Sequence, residues 1–341
     1  MRQSQSHQND YACLADKLDA LLVRLGCGNL RQGSLQRLTG GANKETWALE
    51  AVGSAGAVPL IMRRLSADAL PSERTIEPDC EARLIRRAGE CDVPTPRVCH
   101  ILEPGDGLGA GFLSARIEGE TLARRILRNP EFAEIRSKLS FQCGAILARI
   151  HAIPVETLPQ LKKQFARSEL DELYHSYRSF GGGSPVFEAA FRWLRDRAPS
   201  EARMPRLVHG DFRNGNLIVG PEGVRAVLDW ELAHLGDPAE DLGWITVNSW
   251  RFGMIDKPVG GFGSVEQMLE GYRSEGGEDI DVNRVLYWRT LGSLRWGLIC
   301  RSMACPAQAG GRITVERAMI GRRISETELD LLDILAPESV Q

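Results

Sequence analysis

The hydrophobic pattern changes period near Gly119, and this change restricts the possible folds more than any other feature of the chain. Before it, short apolar runs are separated by Gly, Pro and Asp: LQRLTGGANKETWALEAV at 35–52, VPLIMRRL at 58–65, PTPRVCHIL at 94–102 and GLGAGFLSARI at 107–117. Such runs, bounded by turn residues, predict strands, and a Gly-Gly turn divides the first. Two helices are expected beside them. One carries Tyr11, Leu14, Leu18, Leu21, Leu22 and Leu25 at helical spacing, with Gly26 or Gly28 as its stop, behind a frayed tail at 1–10. The other is IEPDCEARLIRRAGE at 76–90. After Gly119 the spacing becomes three and four, most plainly at Leu139, Cys143, Ile146, Leu147 and Ile150 in a helix near 135–152. A polar helical stretch follows at 165–200, broken by GGGSP at 181–185. A strand-like island occupies 206–231, and 232–341 returns to helix. The expected architecture is α+β with two lobes. Residues 1–116 form a small N-terminal lobe with an antiparallel sheet plus helix. Residues 117–341 form a larger, mainly helical C-terminal lobe containing a loop at 207–231.

The length of 341 residues, with 43% hydrophobic and 26% charged residues, suits a globular chain of two such lobes. A net charge of -3 lacks the basic excess of a nucleic-acid binder. No apolar run approaches the roughly 20 residues that span a bilayer, and the polar N-terminus has no secretory pattern. A cytoplasmic chain with neither nucleic acid nor membrane as partner is expected. Its eight cysteines contain no CxxC pair and no His at metal-ligand spacing, so they read as reduced thiols filling the core.

The island RLVHGDFRNGNLIVGPEGVRAVLDWE carries the chemistry. Asp211 follows His209-Gly210, Asn216 lies five residues further on, and Asp229 eighteen. Phosphoryl transfer needs a carboxylate to take the hydroxyl proton and oxygen ligands to hold a divalent cation on the phosphates. Magnesium keeps several waters, so one amide and one carboxylate suffice. Asn216 opens the apolar run Leu217-Ile218-Val219, while Val227-Leu228 lead into Asp229. Two strands joined by GPEG would bring Asn216 and Asp229 together.

HGDFRNGNLIV followed by VLDWELAHLGDPAEDLGW resembles the aminoglycoside phosphotransferase family and its choline-kinase-like relatives, small-molecule kinases with a protein-kinase-like fold. The resemblance extends through most of the chain, with its strongest motifs in 209–241. It implies that Asp211 is the catalytic base, that Asn216 and Asp229 bind Mg2+, and that Asp241 braces the catalytic loop from within the large lobe. His209 is expected to pack and hydrogen-bond the loop. A protein kinase would carry HRD, DFG and APE around an activation loop. Here HGD and DWE pass directly into GDPAEDL, which leaves no room for that loop.

The same resemblance implies an ATP or GTP site. GGANKETW matches a flap over the triphosphate, formed by Gly40, Gly41, Ala42 and Asn43. Arg63 stands where many kinases have the phosphate-clamping lysine, with Arg64 as the alternative, and Glu81 is its expected helix partner, with Glu77 as the fallback. FLSARIEGETL matches the hinge, where the backbone of Ala115 and Ile117 would meet a purine with Ser114 behind it.

The acceptor side gives a weaker signal. Aminoglycosides are polycations and ask for a carboxylate-lined site. Between Val282 and Val315 there is no Asp, Glu or Lys, but there are Arg284, Arg289, Arg295, Arg301 and Arg312, with Tyr287, Trp288 and Trp296. Such a surface suits an anionic or apolar alcohol, a hydroxyacyl-CoA being one candidate. Glu231, Trp250, Arg251, Trp288 and Arg295 are the expected acceptor residues. The competing readings are a true aminoglycoside O-phosphotransferase and a catalytically silent nucleotide-binding module. Retention of Asp211, Asn216 and Asp229 together speaks against the second.

Overall fold

The structure, a computed structural model, describes residues 2–38, 44–54, 56–66, 74–200, 204–305 and 314–336. The chain forms two compact units: 1–119 with 156–160 and 225–232, and 120–155 with 161–224 and 233–341. The division falls at Gly119 rather than 116. Residues 225–232, expected in the helical lobe, belong with the strand-rich unit, where Asp229 and Glu231 pair with cations on its sheet.

The first unit contains α1 (Arg2–Arg24), β1 (Asn29–Leu30), β2 (Gln36–Leu38), β3 (Lys44–Gly53), β4 (Gly56–Leu65), α2 (Pro78–Glu90), β5 (Val98–Ile101) and β6 (Gly111–Ala115). Helix starts at Arg2, where a frayed tail was expected. The strands form an antiparallel sheet in the order β1-β3-β4-β6-β5, with β2 also on β3. Side chains alternate across a strand. Trp47, Leu49 and Ala51 of β3 and Leu60 and Met62 of β4 therefore share one face, where they pack with Leu14, Leu18 and Leu22 of α1. The register Thr46↔Arg63 puts Lys44 and Arg63 on the opposite face. Helix α2 begins with Pro78 at its first turn and buries Glu81, Ala82, Leu84, Ile85 and Ala88.

The second unit supplies α3 (Ala123–Arg128), α4 (Ala133–Arg136), α5 (Leu139–Ala152), α6 (Ala166–Ser179), α7 (Pro185–Asp196), β7 (Arg206–Val208) and β8 (Leu217–Gly220). The next strand, β9 (Gly223–Val227), is crossed by the boundary at 224/225. Then come β10 (His234–Gly236), α8 (Ala239–Trp244), α9 (Val265–Ser274), α10 (Val282–Met303), α11 (Val315–Gly321) and α12 (Ile324–Leu335). Strand β10 interrupts a region read as helix throughout and pairs antiparallel with β7, His234 opposite Val208. Three residues are too few to show alternation. Helices α5 and α9 approach closely because both contribute glycine: a Cβ on Gly144 would lie 1.8 Å from the Met268 carbonyl oxygen, and one on Gly271 2.0 Å from that of Phe141.

All eight cysteines carry free thiols, but only Cys143 and Cys300 are buried; the expectation of core filling holds for those two. Among the described residues no helix is long and apolar enough to cross a membrane.

Candidate active site

The loop after β7 is held by a buried carboxylate. Asp241, in the first turn of α8, accepts the His209 amide at 2.7 Å and the Gly210 amide at 2.9 Å. His151 of α5 reaches the same carboxylate through Nε2 at 3.2 Å, and its Nδ1 lies 3.0 Å from the Tyr272 hydroxyl of α9. Three helices thus fix one turn, which Gly210 completes at φ 81°, a left-handed conformation that costs glycine little. Burial alone would raise the Asp241 pKa. The hydrogen bond and charge of His151, the charge of His209 and the His209 amide outweigh burial and hold it below the ordinary value. His209 is itself buried, and its Nδ1 accepts the Asp211 amide at 3.2 Å.

Each Asp211 oxygen is then addressed by name. Oδ1 accepts from Trp244 Nε1 at 2.8 Å and Arg213 Nε at 2.9 Å; Oδ2 accepts from Asn216 Nδ2 at 2.6 Å. The Asn216 nitrogen also donates to the Asp211 carbonyl at 2.9 Å. With its nitrogen so committed, Asn216 turns a hard amide oxygen away from Asp211, the donor type that Mg2+ prefers. Among the described residues no group of three or more His, Cys, Asp or Glu could hold a metal. An ion that keeps its waters does not require one.

A second constellation lies within the strand-rich unit. Lys44 Nζ stands 2.6 Å from Glu81 and 3.1 Å from Glu231. Arg63 pairs with Asp229, donates to Glu231 at 2.9 Å and lies 3.6 Å from Glu81. Burial works against the Arg63 charge, but Glu81, Asp229 and Glu231 more than offset it and raise its pKa. Two cations thus face three carboxylates in this cluster. Asp229 adopts φ 65°, an uncommon conformation for a residue other than glycine and one often found at functional positions. It follows β9 in the chain, as Asn216 precedes β8. Each side chain carries an oxygen donor of the type magnesium takes.

Register separates the two arginines. Arg64 lies opposite Glu45 and spends its guanidinium on Glu45 at 2.9 Å and the Leu108 carbonyl at 3.1 Å. Arg63, on the other face, is the one that meets Glu81, while Glu77 occupies the N-cap of α2. Gly40, Gly41, Ala42 and Asn43 lie outside the described residues, as does Arg312. In the segment expected to meet the purine, Ser114 is buried and the Ala115 amide is taken by the Arg97 carbonyl at 2.9 Å. A purine could therefore meet the carbonyl of Ala115 but not its N–H. No bond to Ile117 is made among the described residues.

The acceptor residues expected from the sequence are the least well matched. Glu231 belongs to the Lys44–Arg63 cluster. Arg251 is buried, donates to the carbonyls of Thr246 at 2.7 Å and Ile255 at 3.0 Å, and is pushed down to about 10 by burial and Arg289. Trp288 is buried and donates to Asp237 at 3.0 Å. Arg295 bridges Glu169 and Glu240, both at 3.0 Å, and stacks over Trp244. These three are internal braces: Trp288 and Arg295 lie on α10, which packs against α6, α7, α8, α11 and α12 and has little open face, and Arg251 is tied to backbone carbonyls of its own loop. Trp250 is buried beneath Arg213. Sequence reasoning passed over Lys44, Arg213, Trp244 and His151. Lys44 was within reach, since it shares the Arg63 face by strand parity.

A family model described as phosphotransferase enzyme family matches residues 34–274. Among curated proteins, mouse acyl-CoA dehydrogenase family member 10 is 31% identical over 196 residues, covering 54% of this chain and 18% of its own length. The chain thus spans about a fifth of that relative. Among solved structures, a candidate aminoglycoside phosphotransferase from Ralstonia eutropha aligns with TM-score 0.71 at 19% identity, covering 94% of this chain and 97% of the other. A spectinomycin phosphotransferase solved with ADP and spectinomycin aligns with TM-score 0.63 at 16% identity, covering 93% and 98%. At these identities the structural matches establish the fold.

Proposed function

The chain belongs to the phosphotransferase enzyme family, and from that premise we propose that it moves the γ-phosphoryl group of ATP or GTP to a hydroxyl of a small molecule, with Asp211 as the base. The observation that carries this reading is the Asp211 carboxylate, set by Trp244, Arg213 and Asn216 on a loop that Asp241 fixes from within. Asp211 takes the proton of the acceptor hydroxyl as its oxygen bonds to phosphorus, and the bond from the γ-phosphorus to the β-bridging oxygen breaks, releasing the nucleoside diphosphate. Lys44 and Arg63 hold the phosphates by exchanging part of their carboxylate pairing for phosphate oxygens. Asn216 and Asp229 are the residues that would hold Mg2+, whose chemistry when bound is to neutralise charge on the phosphates. The nucleotide assignment draws on the spectinomycin phosphotransferase relative, solved with ADP.

For the acceptor we favour a hydroxylated carboxylate or acyl thioester, such as a hydroxyacyl-CoA. The arginines of α10 no longer support this choice. Two other observations do: the guanidinium of Arg213 beside Asp211, and the likeness to a protein named as an acyl-CoA dehydrogenase family member. An aminoglycoside acceptor is the second reading, favoured by the fold shared with the spectinomycin enzyme. Eight unpaired cysteines fit a reducing, cytoplasmic setting. The test is ADP release with Mg2+ and ATP against a panel of hydroxyacyl-CoAs, hydroxy acids and aminoglycosides. Turnover with the acidic alcohols is expected; brisk phosphorylation of kanamycin-like compounds alone would overturn the acceptor assignment.

A further inference from the structure

We propose that Arg213 is the acceptor-selecting residue of this site, receiving an anionic group of the substrate next to Asp211 and so favouring acidic alcohols over cationic ones. The inference rests on the phosphotransferase reading above and adds the group that reads the acceptor.

The guanidinium of Arg213 is fixed from two sides. Its Nε donates to Asp211 Oδ1 at 2.9 Å, and its central carbon lies 4.6 Å over the ring of Trp250. A guanidinium both paired and stacked loses little further freedom when it binds. Its side chain is 25% exposed, and that of Asp211 14%, so both reach solvent at this spot. Among the described residues neither terminal nitrogen of Arg213 has a protein acceptor, and these donors remain for a ligand. Gly215 keeps one of them open: at φ 115° it carries no Cβ, and a Cβ there would lie 2.8 Å from Nη1. Below, the Trp250 indole is buried with its Nε1 unpartnered, a second donor without a protein acceptor.

Two other arginines of this unit, both expected as acceptor residues, are committed elsewhere. Arg295 answers Glu169 and Glu240, and Arg251 answers backbone carbonyls. Of these three, Arg213 is the one with both terminal nitrogens lacking a protein acceptor among the described residues, and it lies beside the base. A planar fork of donors matches a carboxylate or phosphate edge. A polycation brought to the same spot would meet a fixed positive charge, which is how a site rejects a wrong partner.

The anion could belong to the acceptor or to the nucleotide, and the experiment separates them. Steady-state rates of wild type, Arg213→Ala and Arg213→Lys are measured with a hydroxy acid and with its amide, which keeps the same hydroxyl. Acceptor and ATP are varied in turn. The ratio of kcat/KM for acid over amide should fall about 10- to 100-fold in Arg213→Ala, the loss of a charged hydrogen bond. Lysine should restore part of it. An unchanged ratio, or a rise in KM for ATP in place of the acid, overturns the inference. Indole fluorescence titrations with the same acid and amide read binding without turnover. If wild type turns over no acceptor yet binds the acid better than the amide, and Arg213→Ala loses that preference, the phosphotransferase reading fails while the anion site stands. Equal binding of acid and amide by wild type overturns the site itself.

Discussion

The charged cluster on the sheet of the strand-rich unit is answered by side chains, whereas Asp241, the buried carboxylate under the loop of the helical unit, is answered chiefly by backbone. Lys44, Arg63, Glu81, Asp229 and Glu231 form side-chain ion pairs between residues 18 to 187 positions apart. Asp241 instead takes two backbone amides and a histidine, with no Lys or Arg on it among the described residues. Side-chain pairs can exchange one oxygen partner for another, because long flexible stems can turn. A carboxylate bonded to two amides cannot move without moving the loop. On the function proposed above, the first cluster would grip phosphate and the second would hold one side chain still.

The most severe way to break that contrast is Asp211→Asn. It should lower kcat on the order of 10³-fold, within the range for loss of a general base, while the Kd for ATP changes less than about threefold. A coupled ADP assay and a nucleotide titration check it; a matching loss of affinity would show that the loop also grips nucleotide. Arg63→Met should act in the opposite sense. The Kd for ATP is expected to rise roughly 10- to 100-fold, as a charged hydrogen bond to phosphate is lost, with a smaller effect on kcat at saturating ATP. An unaltered Kd would remove Arg63 from the phosphate site.

The smallest expected effect concerns pH. The folded pKa of Asp241 lies below its ordinary value of 3.8, so the unfolded chain binds the extra proton first on acidification. Its contribution to stability is complete above that ordinary value and is lost as pH falls through the folded pKa. Asp241→Asn should therefore be less stable than wild type at pH 6, and the gap should narrow as pH drops below 3.8. Melting temperatures between pH 6 and pH 2.5 measure it. A constant gap would mean that the amides, rather than the charge, matter.

The α+β outline was legible because each unit obeys its own period. Leu14, Leu18 and Leu22 line up on α1, and Trp47, Leu49 and Ala51 on β3, as their spacing predicts. Strand register puts Arg64 opposite Glu45 and leaves Arg63 on the face that meets Glu81. Helix α10 defeated the same logic. It is buried on most sides by five other helices, so its Trp288 and Arg295 give no stripe that separates an outward face from an inward one. Its arginines looked like a binding surface, but Arg284 pairs with Asp237, Arg295 with Glu169 and Glu240, and Arg301 donates to the carbonyls of Phe180 and Gly182. Arg213 was equally hidden, since nothing in DFRNGN says that Trp250 lies beneath it.

The linear order of residues determined the elements and the local order of the catalytic loop, because periodicity, turn residues and short spacings act over a few positions of chain. Tertiary structure decided which charge meets which: Lys44 with Glu81, Arg63 with Asp229, Arg295 with Glu169 and Glu240. A Coulomb interaction depends on distance and burial in space, and chain separations of 37 to 166 residues carry no trace of either.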